Sequence, residues 1–548
     1  PKILENGIPD EAYAVLSGDD KATAATLKKQ NKAELKSWKE VVANDLFAAT
    51  SLVQDATAIE QLADDTLDCI ATKRSAWAHA SVQAGQSTLA KLADTYVAAF
   101  LAPKVPQGQG QIPLSGYLWS LLHPNANQPP KPELAQAAHD LCRAHSVFHW
   151  WLAFPQVAAK GGFAVMLGNP PWERIKLQEE EFFATRSPLV AAAKNKAGRA
   201  KRIELLRQGL LLHTLYPDVE AAEGLSPPNR AEMRLHEDFI AARRGAEAAS
   251  LYAHDSGRYP LTGVGDVNTY ALFAETFSQL INVGGRAGFI VQSDIALADS
   301  CKAYFASISE GGRVKSLHDF MNLERLFPHI DTRNPRFCLL TLGSPSAMES
   351  ATFSFGNTNT GHLLDSRRQF TLSPAEFVLL NPNTKTSPTF RSQHDAELTK
   401  KLYRAAPVLI REAEWAGEGK DARCTAPEVN PWGIRFSTMF HMSNDSHLFA
   451  DSPAEAHASA PTPRRLPLYE AKMVHQFDHR WATYVDNPDK PGGLDTNDVS
   501  PSQKADPRFT VRPRYWVDER EVLARIARVP SRVANAWLAW QQATDAAQ

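Results

Sequence analysis

A polar residue, two prolines and an aromatic residue follow one another at Asn169-Pro170-Pro171-Trp172. Two consecutive prolines restrict the backbone and remove two N–H donors, which leaves carbonyl oxygens as acceptors. The Asn169 side-chain oxygen and the Pro170 carbonyl could together accept both hydrogens of a planar amino group, and Trp172 could stack on the ring that carries it. The pattern predicts a site for an exocyclic amine that acts as a nucleophile. The alternative is a strand that ends in prolines and leads into an irregular loop.

The residues before Asn169 form an apolar run, 162–168, bounded by glycine, which is typical of a buried parallel strand. Ligands of open α/β sheets bind at the carboxyl ends of the strands, so this strand would present Asn169 to a ligand. Farther along the chain, helix and strand patterns alternate, which indicates a sheet with crossover helices. The predicted helices span 269–281 and 298–309, and the predicted strands span 287–292, 314–320 and 337–342.

Composition and charge exclude several classes of protein. The 548 residues are 43% hydrophobic and 22% charged, as in globular chains and unlike disordered or collagen-like ones. No apolar stretch approaches the roughly 20 residues of a membrane span, and the start lacks a signal-peptide pattern, so we predict no membrane contact and a cytoplasmic location. The five cysteines form no CxxC pair, which favours reduced thiols. The net charge of -2 excludes a basic nucleic-acid coat but allows one basic groove.

The sequence pattern divides the chain into three regions. Residues 1–134 combine a helical stretch, 26–100, with a linker rich in Pro and Gly at 103–132. Residues 135–344 contain the predicted strands and form the predicted α/β core. From 345 to 548 the regular pattern weakens and Pro, Asn, Asp, His and Trp become frequent, so we predict a separate α+β region there.

Two groups of basic residues could contact nucleic acid. Their cations would position phosphates while a few polar side chains read base edges. The alternatives are a solvated helix face for the first group and an ordinary surface for the second. The first group comprises Lys194, Lys196, Arg199, Lys201 and Arg202. The second group is interleaved with aromatic residues and comprises Arg464, Arg465, Tyr469, Lys472, His475, Arg480, Arg512 and Arg514.

Two metal sites are weaker alternatives in the C-terminal region. Glu470 and Lys472 have the E-x-K spacing of a metal-dependent nuclease. His475, Asp478 and His479 have a spacing that could bind zinc if the segment is helical. The E-x-K spacing is common by chance, and the alternative for His475, Asp478 and His479 is a cluster that is hydrogen-bonded or contacts phosphate, so we predict no metal ion.

Three blocks resemble motifs of the amino-methyltransferases. Residues 169–172 resemble motif IV, and residues 268–275 and 284–291 resemble motifs V and VI. Most of the chain resembles the large bacterial N6-adenine DNA methyltransferases. The resemblance includes the segments that flank motif IV, 148–155 and 173–179, and two later segments, 380–384 and 468–478. Those enzymes belong to type IIG restriction–modification and to phage-defence systems such as BREX and DISARM.

The resemblance implies a Rossmann-like methyltransferase core, with motifs IV to VIII at 135–344, and a C-terminal target-recognition domain. It implies transfer of a methyl group from S-adenosylmethionine to N6 of an adenine flipped out of double-stranded DNA. Asn169, Pro170, Pro171 and Trp172 would be the catalytic set. Other subunits of a defence system could be partners. The residues implied for the cofactor are Asn268, Tyr270 and Phe273.

Residues 1–160 lack the strand and acidic, Gly-rich turn of motif I, which holds the methionine part of the cofactor in that family. Gly263-Val264-Gly265-Asp266 follows no strand, so we interpret it as a loop. We expect motif I to lie upstream of Pro1, in which case this chain alone could be inactive. One alternative is a DNA-binding module of a larger complex without catalysis. Another is an amino-methyltransferase that acts on protein or RNA.

Overall fold

Helices dominate the first part of the chain, and a mixed β-sheet follows them. The computed structural model of the protein describes residues 6–36, 51–123, 131–193, 195–217, 226–329, 336–343, 350–416, 422–436, 438–453, 464–486 and 494–526. The chain divides into two units, Pro1–Val429 and Asn430–Gln548. The protein is of the mixed α/β class. No described helix has both the length and the apolar character that a membrane span requires.

Eight helices precede the sheet within the described residues. They are α1 (Lys21–Leu35), α2 (Ser51–Gln61), α3 (Leu67–Gln86), α4 (Thr88–Leu101), α5 (Ser115–Leu122), α6 (Pro132–Ala144), α7 (Trp150–Ala153) and α8 (Pro155–Ala159). Side chains of Asp20, Thr66 and Ser87 accept backbone N–H groups at the starts of α1, α3 and α4. Part of the predicted linker is helical, because α5 buries Leu118 and Leu121 in the core of this region.

A second group of helices lies between the first and second strands of the sheet. They are α9 (Glu179–Ala184), α10 (Pro188–Ala191), α11 (Lys196–Gln208), α12 (Leu211–Leu215) and α13 (Arg230–Asp255). They share a small core that includes Phe182, Phe183, Leu206 and Phe239.

Six strands form the sheet of the first unit. They are β1 (Phe163–Gly168), β2 (Ile281–Gln292), β3 (Val314–Phe320), β4 (Phe337–Gly343), β5 (Ala351–Asn357) and β6 (Phe370–Leu372). Their order is β1-β2-β4-β3-β5-β6. Strands β1, β2, β3 and β5 run in one direction, while β4 and β6 run in the other. The carboxyl ends of the four parallel strands therefore share one edge of the sheet.

The main core lies between this sheet and helices that either alternate with its strands or follow the last strand in sequence. Those helices are α14 (Thr269–Leu280), α15 (Asp294–Leu297), α16 (Lys302–Glu310), α17 (Pro374–Leu380) and α18 (Gln393–Ala405). Alternate residues of β2, Ala287, Phe289 and Val291, are buried in this core, as the two-residue period of a strand requires. Phe277 of α14 and Phe305 of α16 pack in the same core.

The first strand differs from its prediction in one respect. Strand β1 pairs in parallel with β2, as predicted. It lies at the edge of the sheet, however, and the side chains of Val165 and Leu167 are 60% and 78% exposed. An apolar run can therefore signal a strand without showing that both of its faces are covered.

The sheet continues past residue 344, the predicted end of the core. Strands β5 and β6 extend it, with β5 parallel to β3 and β6 antiparallel to β5. The predicted boundary therefore falls between two strands of one sheet. A separate hairpin, β7 (Glu414–Ala416) with β8 (Arg423–Ala426), follows near the end of the first unit.

The second unit contains small antiparallel sheets. Strands β9 (Phe449–Ala450), β10 (Arg465–Leu468) and β13 (Tyr515–Asp518) form one in the order β10-β13-β9, and β11 (Ala482–Asp486) pairs with β12 (Leu494–Asp498). The described helices are α19 (Pro501–Ala505) and α20 (Glu519–Ile526). The second unit has a small core, which consists of Met473, Tyr484, Val499 and Val511. The second unit therefore contains both helices and strands.

We expect Gly162→Ala to lower the free energy of unfolding by about 2 kcal/mol more than Gly161→Ala. Both glycines have positive φ, 129° and 80°, so both substitutions strain the backbone. Only at Gly162 would a Cβ clash, because it would lie 2.3 Å from the Leu280 carbonyl oxygen, whereas Gly161 has nothing within 4 Å. Urea denaturation of the two variants measures the difference, and equal losses would contradict the packing of β1 against β2.

Candidate functional site

Asn169 directly follows β1, at the edge of the sheet where the parallel strands end. Its side chain is exposed and makes no hydrogen bond within the part of the chain that the structure describes. Pro170 is buried, and its carbonyl accepts no hydrogen bond from the described residues. An amide oxygen and a carbonyl oxygen, neither with a partner among the described residues, therefore lie next to each other on a restricted backbone.

The loop after Asn169 is fastened to the start of α14. The Thr269 hydroxyl donates to the Pro171 carbonyl at 2.7 Å and accepts from the Glu173 backbone N–H at 3.1 Å. The Thr269 backbone N–H donates to the Glu173 carbonyl at 2.9 Å. The blocks predicted as motifs IV and V, which are far apart in sequence, are thus in direct contact.

Trp172 is half-buried against the sheet. Its indole N–H donates to the Ile290 carbonyl of β2 at 3.4 Å, and its ring stacks on Phe337 with the centroids 6.3 Å apart. Phe337 stacks in turn on Phe320 at 5.4 Å. The predicted role of Trp172 was to stack on a ligand ring, and the structure shows that its ring also belongs to an aromatic stack that holds it in place.

The residues implied for the cofactor do not form a site for it. The Asn268 side chain caps α14 by accepting the Tyr270 backbone N–H at 3.3 Å. The Tyr270 ring is buried in the main core, and burial raises the pKa of its phenol well above the ordinary value. Phe273 is half-buried and packs against the same core. Of the three, only Asn268 keeps a polar group without a partner among the described residues, its side-chain NH2, so they do not fit S-adenosylmethionine without further residues.

A buried polar cluster, which was not predicted from the sequence, lies at the same sheet edge. Asp319, at the end of β3, is fully buried. Its carboxylate accepts from the Ser293 hydroxyl at 2.6 Å and the Gly356 backbone N–H at 2.8 Å, and it forms an ion pair with Arg336. These contacts join the ends of β2, β3, β4 and β5, which fixes the edge that carries Asn169. The available signal was an aspartate two residues after Leu317 in the predicted strand, at a position where a strand turns both side chains to the same face.

Two arginines of the first basic group are engaged in protein contacts. Arg199 is buried, and its guanidinium donates to the carboxylates of Glu179 at 3.1 Å and Glu180 at 2.7 Å. The Arg202 guanidinium donates to the Leu189 carbonyl. Because Arg199 is buried and its guanidinium is already paired, Arg199 is removed from the predicted DNA surface, whereas Arg202 is half-buried with one such contact. Lys196 and Lys201 are exposed on α11, and Lys194 lies outside the described residues.

We expect Arg199→Ala to lower the free energy of unfolding by about 2 kcal/mol, because it removes hydrogen bonds from a buried cation to two carboxylates. The affinity for DNA should not change. Lys201→Ala, on the same helix but exposed, is the matched control and should leave stability within about 0.5 kcal/mol of wild type. Thermal denaturation and DNA titration test both variants. A loss of DNA affinity in Arg199→Ala without a loss of stability would restore Arg199 to the DNA surface.

The second basic group lies in the second unit, and much of it is exposed. Lys472 lies 4.8 Å over the Tyr484 ring, and Arg514 lies 4.8 Å over the Tyr515 ring. Strand pairing places Leu468 opposite Tyr515, so the residues that follow and precede them, Tyr469 and Arg514, are near one another. The exposed members of this group are Arg464, Tyr469, Lys472, His475, Arg512 and Arg514.

Several members of the second group also have protein contacts. Arg464 pairs with Glu519 at 3.5 Å, and Arg512 pairs with Asp486 at 3.1 Å. Arg465 is half-buried and donates to the Ser452 carbonyl at 3.0 Å. These pairs are at the surface, where solvent keeps them weak enough for a phosphate to compete.

Arg480 has a structural role instead of the predicted DNA contact. Its guanidinium donates to the backbone carbonyls of Lys504 at 2.6 Å, Asp506 at 3.1 Å and Phe509 at 3.4 Å. These bonds hold the segment around α19 to the turn before β11. A guanidinium with three carbonyl acceptors has little capacity left for a phosphate.

Exposed aromatic residues in the second unit were not predicted as contacts. Trp432, Phe436 and Phe477 are among the most exposed large apolar side chains of the described residues. Aromatic rings at a surface with cations can stack on nucleic-acid bases. The available signal was the presence of aromatic residues in segments that are otherwise polar and irregular.

The two metal alternatives find no support in the geometry. Glu470 accepts the Tyr484 hydroxyl at 2.7 Å. His475 and Asp478 face each other across a backbone bridge, so the segment is not a helix and the spacing that suggested zinc does not form a site. Among the described residues, no group of three or more His, Cys, Asp or Glu side chains could hold a metal ion.

The geometry around Asn169 thus offers two adjacent acceptors and a fixed aromatic ring at the ligand-binding edge of a sheet. Such an arrangement can bind and orient a planar ring that carries an amino group. In comparisons with known proteins, the chain matches neither a family model nor a curated protein.

Proposed function

We propose that this chain is the base-binding and DNA-recognition part of an enzyme that transfers a methyl group from S-adenosylmethionine to N6 of adenine in DNA. We place the enzyme in restriction–modification or phage defence. The observation that carries the proposal is the free Asn169 side chain beside the Pro170 carbonyl, on a loop that Thr269 fastens to α14. Four strands of the mixed sheet run in parallel, and helices connect β1 to β2 and β2 to β3, which supports a Rossmann-like methyltransferase core around this loop.

In this proposal the chain binds and orients the amino group. The Asn169 oxygen and the Pro170 carbonyl accept the two N6 hydrogens, which turns the nitrogen lone pair away from the ring and makes it available for attack. Trp172, held by Ile290 and Phe337, offers a ring that does not need to reorient when the base arrives. Because N6 is stacked and paired inside a duplex, the base must first leave the helix.

The second unit supplies the proposed recognition of double-stranded DNA. Exposed cations such as Lys472 and Arg514 would contact phosphates, and exposed aromatic residues such as Phe477 would contact bases. The residues that would hold the cofactor are not complete in the described part of the chain, so we propose that additional polypeptide supplies the rest of that pocket.

Mass spectrometry of methylated products tests the proposal. The complete gene is expressed in a host without adenine methylases, and N6-methyladenine in DNA, methylated bases in RNA and methylated side chains in protein are measured. N6-methyladenine in DNA is the expected result. Methylation of RNA or protein instead would favour an amino-methyltransferase that acts on those substrates. DNA binding without any methylation would favour a DNA-binding module without catalysis.

A further inference from the structure

A cavity of about 490 Å³ lies among the N-terminal helices of the first unit. Helices α2, α3, α4, α6 and α7 and the segment 147–149 contribute its walls, together with Pro155. Most of the lining is apolar, and it includes the aromatic side chains of Trp77 and Phe148. Its volume is in the range of sites for small organic molecules. None of the residues proposed above for methyl transfer lines it.

A carboxylate with two histidines forms the polar part of this cavity. Asp94 is buried, with 10% of its side chain exposed, and its two oxygens contact His139 Nδ1 at 2.9 Å and His149 Nε2 at 3.0 Å. Burial raises the pKa of Asp94, but the hydrogen bonds with His149 and His139 outweigh burial, and the pKa lies below the ordinary value. Asp94 is therefore a carboxylate that orients both imidazole rings.

Each imidazole keeps a second nitrogen that has no partner among the described residues. A protonated imidazole donates through both nitrogens, so each ring could donate to Asp94 on one side and to a ligand on the other. Arg143 also lines the cavity and adds a second type of cationic donor. Asp55 of α2 lines it as well, and both Arg143 and Asp55 are exposed. Donors of this kind bind carboxylates through charge-assisted hydrogen bonds.

We propose that this cavity is a binding site for a small organic carboxylate with a planar apolar body. His139, His149 and Arg143 would bind the carboxylate, and Trp77, Phe148 and the aliphatic walls would bind the body. Asp94 would act as a positioning residue, because its oxygens are used by the two histidines. The site is separate from the proposed methyl-transfer loop and does not depend on that proposal.

Isothermal titration of the full chain with 1-naphthoate tests the site. We expect one binding site and an affinity at least about tenfold higher than that for 1-naphthalenemethanol, the neutral analogue, because charge-assisted hydrogen bonds are lost. Changes in tryptophan fluorescence from Trp77 should follow the same titration. No binding at about 1 mM, or equal binding of the alcohol, would overturn the proposal.

Two variants locate the binding. His149→Gln should weaken naphthoate binding about tenfold or more, whereas His79→Gln, an exposed histidine of α3 that does not line the cavity, should leave it unchanged. If the His149→Gln variant fails to fold, Gly85→Leu provides a second test of the binding site. Gly85 lines the cavity, and a Cβ there meets nothing within 4 Å, so the leucine should fill space and block the ligand without disturbing the fold. Undiminished binding by a folded Gly85→Leu protein would overturn the proposal.

Discussion

Asn169→Ala is expected to reduce methyl transfer by at least about 100-fold in the complete enzyme. The substitution removes one of the two acceptors that would hold the amino group of adenine, so the nitrogen would no longer be oriented for attack. Stability and DNA affinity should remain close to wild type, because the Asn169 side chain is exposed and has no partner among the described residues. Incorporation of labelled methyl groups into DNA, with denaturation and DNA titration of the same preparations, measures the three quantities.

Two further substitutions at the same position separate the acceptor from the size of the side chain. Asn169→Leu keeps a similar size without an acceptor and should lose as much activity as alanine. Asn169→Asp keeps an acceptor oxygen in nearly the same place and should lose less. Normal methyl transfer by Asn169→Ala or by Asn169→Leu would refute the proposed role of the loop.

DNA affinity of the chain should fall about 10²- to 10³-fold when monovalent salt rises from about 50 mM to about 200 mM, as expected for roughly five phosphate contacts. The cations that we assign to these contacts are Arg464, Arg465, Lys472, Arg512 and Arg514 of the second unit. Each contact releases counterions from the DNA, and added salt opposes that release. Fluorescence anisotropy with a labelled duplex at several salt concentrations gives the slope.

Substitution of one cation shows whether the salt dependence of DNA affinity comes from the basic residues of the second unit. Lys472→Ala should lower affinity on every DNA sequence and reduce the magnitude of the salt slope by about 1. Lys28→Ala removes an exposed lysine of α1 in the first unit and should change neither quantity. A salt-independent affinity, or equal effects of the two variants, would show that the second unit is not the DNA-binding surface.

Local sequence patterns were sufficient for several elements of the fold. Strand β3 spans 314–320, as predicted, and α14 and β4 each end within one residue of their predicted bounds. Their signals lie within the element itself: apolar residues at the period of a helix or strand, with glycine or polar residues at the ends. The position of Asn169 directly after a strand was predicted from the same kind of signal.

Contacts between distant residues could not be predicted in this way. The sequence alone does not show that Arg199 meets Glu179 and Glu180, or that Arg480 meets three backbone carbonyls, so both appeared available for DNA. Strand order is also a property of the whole sheet. It places β1 at the edge, where Leu167 is exposed, although the strand has the composition of a buried one.

The sequence by itself determined which residue types are present at 169–172 and which secondary structure surrounds them, because those depend on neighbours along the chain. Only the tertiary structure decided which of these groups are free. It uses Asn268 as a helix cap and Tyr270 as a core residue, and it leaves the Asn169 side chain without a partner among the described residues. It also brings Asp94 together with His139 and His149, since hydrogen bonding and burial depend on distances that folding alone sets.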